Sequence, residues 1–202
     1  MPAFDTDHHT TTCFIMRHAP TEWNGAGRIQ GQADSPLTPI GKTWAACWGS
    51  QLTGLGLQRI LSSDTGRAVA TAHHINQTLQ LPLSHDTRLR EQDWGQWTGQ
   101  TMADMRTTHR ALFAQQENRG WSFCPPGGEE RLAVLTRSLD ALRETGLNHD
   151  LRVVSDGEEL LDYLHGRAKY RTLPDLPRPD LVLLDLNMPK KDGREGLQEI
   201  KA

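Results

Sequence analysis

Apolar and polar positions along this chain switch repeatedly between short runs and a helical period. "CFIMRH" (13–18) is an apolar run ending in polar residues, the pattern of a buried strand feeding a functional loop. The stretch through "NGAGRIQGQADSP" is rich in Gly, Asp and Asn and predicts an irregular loop. From Thr38 the spacing turns helical. Thr38 can cap the helix, Pro39 suits its first turn, and Ile40, Trp44, Trp48 and Leu52 recur at i+4 as one apolar face. "RILSS" (59–63) predicts a second strand, and Asp64 is placed to cap a helix running to about Leu79, with Arg67 in its first turn. "LREQDWGQWTG" (89–99) has no regular period, whereas 101–114 predicts a helix. "CPPGGEE" (124–130) breaks structure ahead of a helix with Leu132, Leu135, Leu139 and Leu142 as its stripe. A strand at 151–155, a helix at 157–167, a strand "DLVLLD" (180–185) and a helix at 193–201 follow. Strands alternating with helices imply an α/β fold, a three-layer sandwich with a mostly parallel central sheet and helices on both faces.

Composition narrows the partners more than the fold. At 202 residues the chain can bury one sizeable core, or one core and a small appendage. A net charge of −3, from 22 basic against 25 acidic residues, provides no broad positive field, so neither nucleic acid nor an anionic membrane is expected as partner. Cys13, Cys47 and Cys124 show no CxxC spacing, which suits a reducing compartment. No apolar run approaches the ~20 residues of a membrane helix, and residues 1–12 lack a signal-peptide layout; a cytoplasmic protein with a small-molecule partner is the expectation. All six Trp precede Ser122, while Lys169, Lys190, Lys191 and Lys201 lie at the back, a shift that permits two origins.

Four stretches then converge on one chemistry. "RHAPTEWN" puts Arg17 and His18 at the carboxyl end of the first expected strand, and "SSDTGRAVATA" puts Arg67 just after the second. "LREQDWGQW" offers Glu91, and "PPGGEE" a glycine-rich approach to a helix. Carboxyl ends of parallel strands are where open α/β sheets build sites. Two arginines beside a histidine can clamp a tetrahedral dianion and leave an imidazole nitrogen to attack phosphorus, and a carboxylic acid can protonate the departing alcohol.

A lone RH dipeptide would carry no information, but the ordered set does: RHx-T-x-x-N, "GRIQGQADSPLT-x-x-G", SSD-x-x-RA-x-x-TA, LRE-x-x-x-G-x-W and PGGE, from about Cys13 to Leu142. It resembles the histidine phosphatase superfamily, the phosphoglycerate-mutase-like group. The resemblance implies a phosphomonoesterase-type hydrolase in which His18 becomes phosphohistidine, Arg17 and Arg67 bind the phosphoryl group, Glu91 donates a proton, and Thr21 and Asn24 line the pocket. The partner would be a small phosphorylated substrate or inorganic phosphate, with no metal and no cofactor. Ala19 replaces the commoner glycine of that family.

The same resemblance implies a second pocket histidine in a strand reading like "VVSHGG", where this chain has "VVSDGEE" and Asp156. At ~4 Å and an effective dielectric of ~20, a carboxylate repels each phosphate charge by ~4 kcal/mol. Loss of one preorganised donor costs a further ~10²–10³ in rate. The enzyme is therefore expected to have low or no activity. From about Gly146 the chain also resembles the receiver domain of a bacterial response regulator, most closely at "PDLVLLDLNMPKKDG", which would make Asp185 a phospho-acceptor with weak Mg²⁺ binding. On that basis the chain is expected to be a chimera: a histidine-phosphatase-like portion at 1–145 and a partial receiver-like, flavodoxin-like portion at 146–202 completing the same sheet. An inactive α/β scaffold and a partial signalling module through Asp185 are the alternatives to the enzyme. Asp156 and Asp185, placed at strand ends, are expected to raise the pKa of His18.

Overall fold

The computed structural model describes residues 14–144, 154 and 157–171. The chain divides into two compact units, Met1–His149 and Asp150–Ala202.

In the first unit residues 14–20 form no regular element and lead to a short helix α1 (Glu22–Gly25). Thr21 caps α1 reciprocally with Asn24: the Thr21 hydroxyl accepts from the Asn24 N–H, and the Asn24 side chain accepts from the Thr21 N–H. An irregular loop leads to α2 (Pro39–Leu52), where Thr38 accepts from the Gly41 N–H and Pro39 occupies the first turn as its sequence predicts. Strand β1 (Ile60–Ser63) feeds α3 (Gly66–Leu79), and β2 (Leu83–Asp86) pairs parallel with β1, Ile60 opposite Leu83 through Ser63 opposite Asp86. Then come α4 (Met102–Thr107), α5 (Arg110–Glu117) and α6 (Arg131–Glu144), with 3₁₀ turns at Thr87–Leu89, Gly95–Trp97 and Gly120–Ser122. The architecture is α/β, with a small parallel sheet flanked by helices.

Several local expectations need correction. Residues 14–18 form no strand, and Phe14, Ile15 and Met16 are 44–56% exposed. A strand exists only through a ladder partner, and those expected for it, at 151–155 and 180–185, lie outside the described residues apart from Val154, which is in no strand. In α2 only part of the expected apolar face packs inward: Trp48 lies against the Ala19 core. Ile40 and Trp44 are 57% and 47% exposed, and the helix packs through Gly41, Ala45 and Gly49. The reason is close approach: a Cβ on Gly41 would lie 2.3 Å from the Pro20 carbonyl oxygen, so only glycine lets the first turn of α2 seat against the segment after His18. The expected 101–114 helix is two helices, with the break at Thr108 and His109 after a Thr101–Asp104 capping box. β2 was not foreseen, because four residues with two exposed positions leave little apolar period to read.

Two small cores support the unit. Ile29, Trp97, Met105 and Phe123 are buried together, with Trp94 and Phe113 against them; Ala19, Leu37 and Ala45 form the other, against Trp48 and Ala70. Trp97, 2% exposed, is therefore a packing residue. The second unit contains α7 (Gly157–Leu164) and a 3₁₀ turn at Ala168–Tyr170. Leu160, Leu161 and Tyr163 are buried, Tyr163 meets Tyr170 edge to face at 5.1 Å, and the Tyr170 hydroxyl donates to Glu159 at 2.9 Å.

Candidate active site

His18 lies half-buried in the segment 14–20, next to the fully buried Ala19. Its Nδ1 is 2.8 Å from the Ala19 carbonyl oxygen. A carbonyl only accepts, so Nδ1 carries the proton and Nε2 of the neutral ring keeps its lone pair. The segment is tied to α3 by Thr71, whose hydroxyl accepts from the Ala19 N–H at 3.0 Å and donates to the Arg67 carbonyl at 2.8 Å. This is the threonine of RA-x-x-TA, and it couples the backbone beside His18 to that of Arg67.

Burial pushes the His18 pKa below its ordinary value of 6.5; Arg67 and Arg17 push the same way, while the hydrogen bond to Ala19 and the Glu91 carboxylate oppose them. Arg17, Arg67 and Glu91 are thus brought within electrostatic reach of one imidazole. The direction is opposite to the expected rise. Desolvation of the imidazolium outweighs the attraction of the one carboxylate, Glu91, that raises it. Asp156 and Asp185, from which the rise was expected, lie outside the described residues.

The two arginines differ. Arg17 is exposed, whereas Arg67 is 3% exposed in the first turn of α3. Its Nη1 donates to the Ala33 carbonyl at 2.8 Å and its Nη2 to the Gly31 carbonyl at 2.7 Å, with Asp34 Oδ1 3.5 Å from Nη1. The N-terminus of α3 is not capped as expected. Thr65 occupies the cap without a side-chain bond, and Asp64 pairs with Arg90 at 2.7 Å. Asp34 does the capping from the 30–34 loop, accepting from the Gly66 N–H at 2.6 Å and the Arg67 N–H at 3.1 Å. A carboxylate at a helix N-terminus is favoured by the unpaired N–H groups and the helix dipole. Sequence reasoning assigned nothing to Asp34 or Thr71; their fixed places inside the motif runs were the only signal.

Glu91 is exposed, on a segment held by its backbone. Its carbonyl accepts from Arg137 Nη2 at 3.1 Å, and Arg137 also donates to the Arg88 carbonyl and to both oxygens of Glu129 at 2.8 Å. Two backbone bonds of 2.9 Å, Gln96 N–H to Pro126 O and Glu129 N–H to Asp93 O, join the segment after Glu91 to the PPGGE turn. Thr21 is fully buried, and its hydroxyl lies 2.9 Å from Asn24 Oδ1 and 3.1 Å from Gln30 Oε1. Thr21 is thus engaged in structure; Asn24 spends its oxygen on the cap. Among the described residues no group of three or more His, Cys, Asp or Glu is arranged to hold a metal ion, and no helix is long and apolar enough to cross a membrane.

The family model for the histidine phosphatase superfamily (branch 1) matches residues 13–169, and the chain belongs to that family. The probable phosphoglycerate mutase GpmB of Salmonella paratyphi B is 37% identical over 129 residues, 64% of this chain and 60% of the relative; the chain thus spans well under two thirds of that relative's length. A structure described as mycobacterial glucosyl-3-phosphoglycerate phosphatase with VO3 aligns with a TM-score of 0.59 at 34% identity, covering 66% of each chain. Bacillus stearothermophilus YhfR aligns with a TM-score of 0.57 at 30% identity, covering 82% of this chain and 83% of that one.

These findings overturn the expectation of a chimera. The match runs across 145–146, where the two portions were expected to meet, and takes in "VVSDGEE" and α7, which had been assigned to a response-regulator receiver. An apolar strand followed by an acidic helix start is common to both α/β families, so that short segment could not discriminate between them.

Proposed function

We propose that the chain is a phosphomonoesterase working through a phosphohistidine on His18. What supports this is the state of His18: Nδ1 is occupied by the Ala19 carbonyl, Nε2 is left with its lone pair, and two arginines and one carboxylate act on the same ring. Nε2 attacks phosphorus in line and the ester P–O bond breaks. Glu91, once it has taken up a proton, gives it to the leaving alcohol. The Glu91 carboxylate then takes a proton from water, which attacks the phosphohistidine and releases inorganic phosphate. Arg17 and Arg67 stabilise the charge on the transferring group. Asn24, through its amide N–H groups, and Thr21, by holding Asn24, shape the pocket wall.

Family membership and the relatives' names, a phosphoglycerate mutase and a glucosyl-3-phosphoglycerate phosphatase, support a small phosphorylated substrate. In the sequence Asp156 stands where the family resemblance implies a second histidine, and a carboxylate in that role would lower the rate by repelling the phosphoryl group. In assays on a generic aryl phosphate, Asp156→His is expected to raise kcat/KM by about 10²-fold or more, and His18→Ala to abolish turnover in both backgrounds. Turnover that survives His18→Ala, or an Asp156→His variant no faster than the parent, would contradict the reading.

A further inference from the structure

Arg67 Nε is the one buried side-chain nitrogen or oxygen among the described residues with no hydrogen-bond partner. Both Nη groups of the same side chain are committed, one to the Ala33 carbonyl and one to the Gly31 carbonyl. A guanidinium is planar, so fixing two of its nitrogens fixes the direction of the third N–H. A buried, unpaired, charged donor is costly, and an oxyanion that reached it would remove that cost.

Asp34 holds this arrangement at both ends. It accepts from the N–H of Arg67 and from that of Gly66, which sets where the Arg67 side chain begins, and it lies 3.5 Å from Nη1, where the side chain finishes. Its carboxylate is 48% exposed, so its effect is geometric more than Coulombic. Gly66 makes the contact possible: a Cβ there would stand 2.9 Å from Asp34 Oδ2.

We infer that Asp34 is a positioning residue, which locks the Arg67 guanidinium onto the 31–33 carbonyls so that its Nε–H is the donor presented to a phosphoryl oxygen. This rests on the phosphomonoesterase reading and adds to it which atom of Arg67 acts and what aims it. It also gives a reason for the Asp of "GQADSPLT".

Inorganic phosphate is the probe, titrated calorimetrically into the parent, Asp34→Asn and Gly66→Ala at temperatures well below unfolding. Asp34→Asn keeps one neutral acceptor for the cap. Gly66→Ala alters no charge and adds a residue that favours helix, while displacing the Asp34 carboxylate. Both are expected to bind phosphate about 10-fold or more weakly. The Arg67 Nε–H resonance, identified by its loss in Arg67→Lys, is expected to shift with phosphate in the parent but not, at the same concentration, in Asp34→Asn. A purely structural cap would change Tm and leave the affinity of the folded protein untouched; that result, or parental affinity in both variants, overturns the inference while the parent's own binding stands. A parent that neither binds phosphate nor turns over an ester overturns the phosphomonoesterase reading, and the inference with it.

Discussion

At the scale of single residues, His18 is kept neutral by its surroundings. Burial lowers the His18 pKa, and the guanidinium groups of Arg67 and Arg17 reinforce this, so the unprotonated imidazole persists below pH 6.5. An NMR titration of His18 is expected to give a midpoint below 6.5, with the acid limb of kcat/KM on that side. The linkage has a definite sign. A histidine whose folded pKa is depressed takes up its proton more readily in the unfolded chain, so it destabilises the fold as pH drops from 6.5 toward the folded value. His18→Ala should therefore make stability less sensitive to pH in that window, measured by denaturant midpoints. A titration midpoint at or above 6.5 would contradict the burial argument. His18, Arg17, Arg67 and Glu91 could all be singled out in the sequence because motif order carries them. The inward orientation of Arg67 could not, since it depends on carbonyls 34 and 36 residues away in the chain.

Among the elements, α6 braces the segment that carries Glu91. Arg137 bridges α6 to the Arg88 and Glu91 carbonyls and to Glu129, in a setting where both side chains are only 19–21% exposed. Its hydrogen bonds hold the Glu129 carboxyl below its ordinary value of 4.5. Arg137→Met keeps the stem and removes the fork; it is expected to lower stability by about 1–2 kcal/mol at neutral pH and to reduce kcat by loosening Glu91. A depressed carboxylate contributes stability above its unfolded pKa, so the difference between parent and variant should shrink as pH falls from 4.5 through the folded value of Glu129. Urea midpoints across that range would show it, and a constant difference would assign the loss to packing instead. Local signals located these elements well where caps were complete: Thr38 and Pro39 mark α2 correctly. They failed where a distant residue took over, as with Asp34 in place of Asp64 on α3, or where small residues formed the packed face, as with Gly41, Ala45 and Gly49. Apolar periodicity records size and polarity, whereas close helix approach selects for the absence of a side chain.

For the molecule as a whole, the order of motifs carried the α/β class and the family, since each run fixes one contact that the others need. Thr71 joins the segment after His18 to α3, Gly41 seats α2 beneath it, and the PPGGE turn locks the segment after Glu91. The expected join near 145 was wrong because a short α/β segment looks alike in two families, and a comparison spanning 13–169 separates them. The central claim, phosphoryl transfer through His18, is tested most directly by trapping the intermediate. The full chain, and the Asp156→His variant in which phosphorylation is expected to be faster, would be mixed with an aryl phosphate, quenched in base where phosphohistidine survives, and read by intact and peptide mass spectrometry. The account predicts a mass gain of one phosphoryl group confined to the peptide containing His18, lost on brief acid treatment and absent from His18→Ala. A phosphoryl group on any other residue, or turnover with no phosphorylated His18 at any quench time, would contradict it.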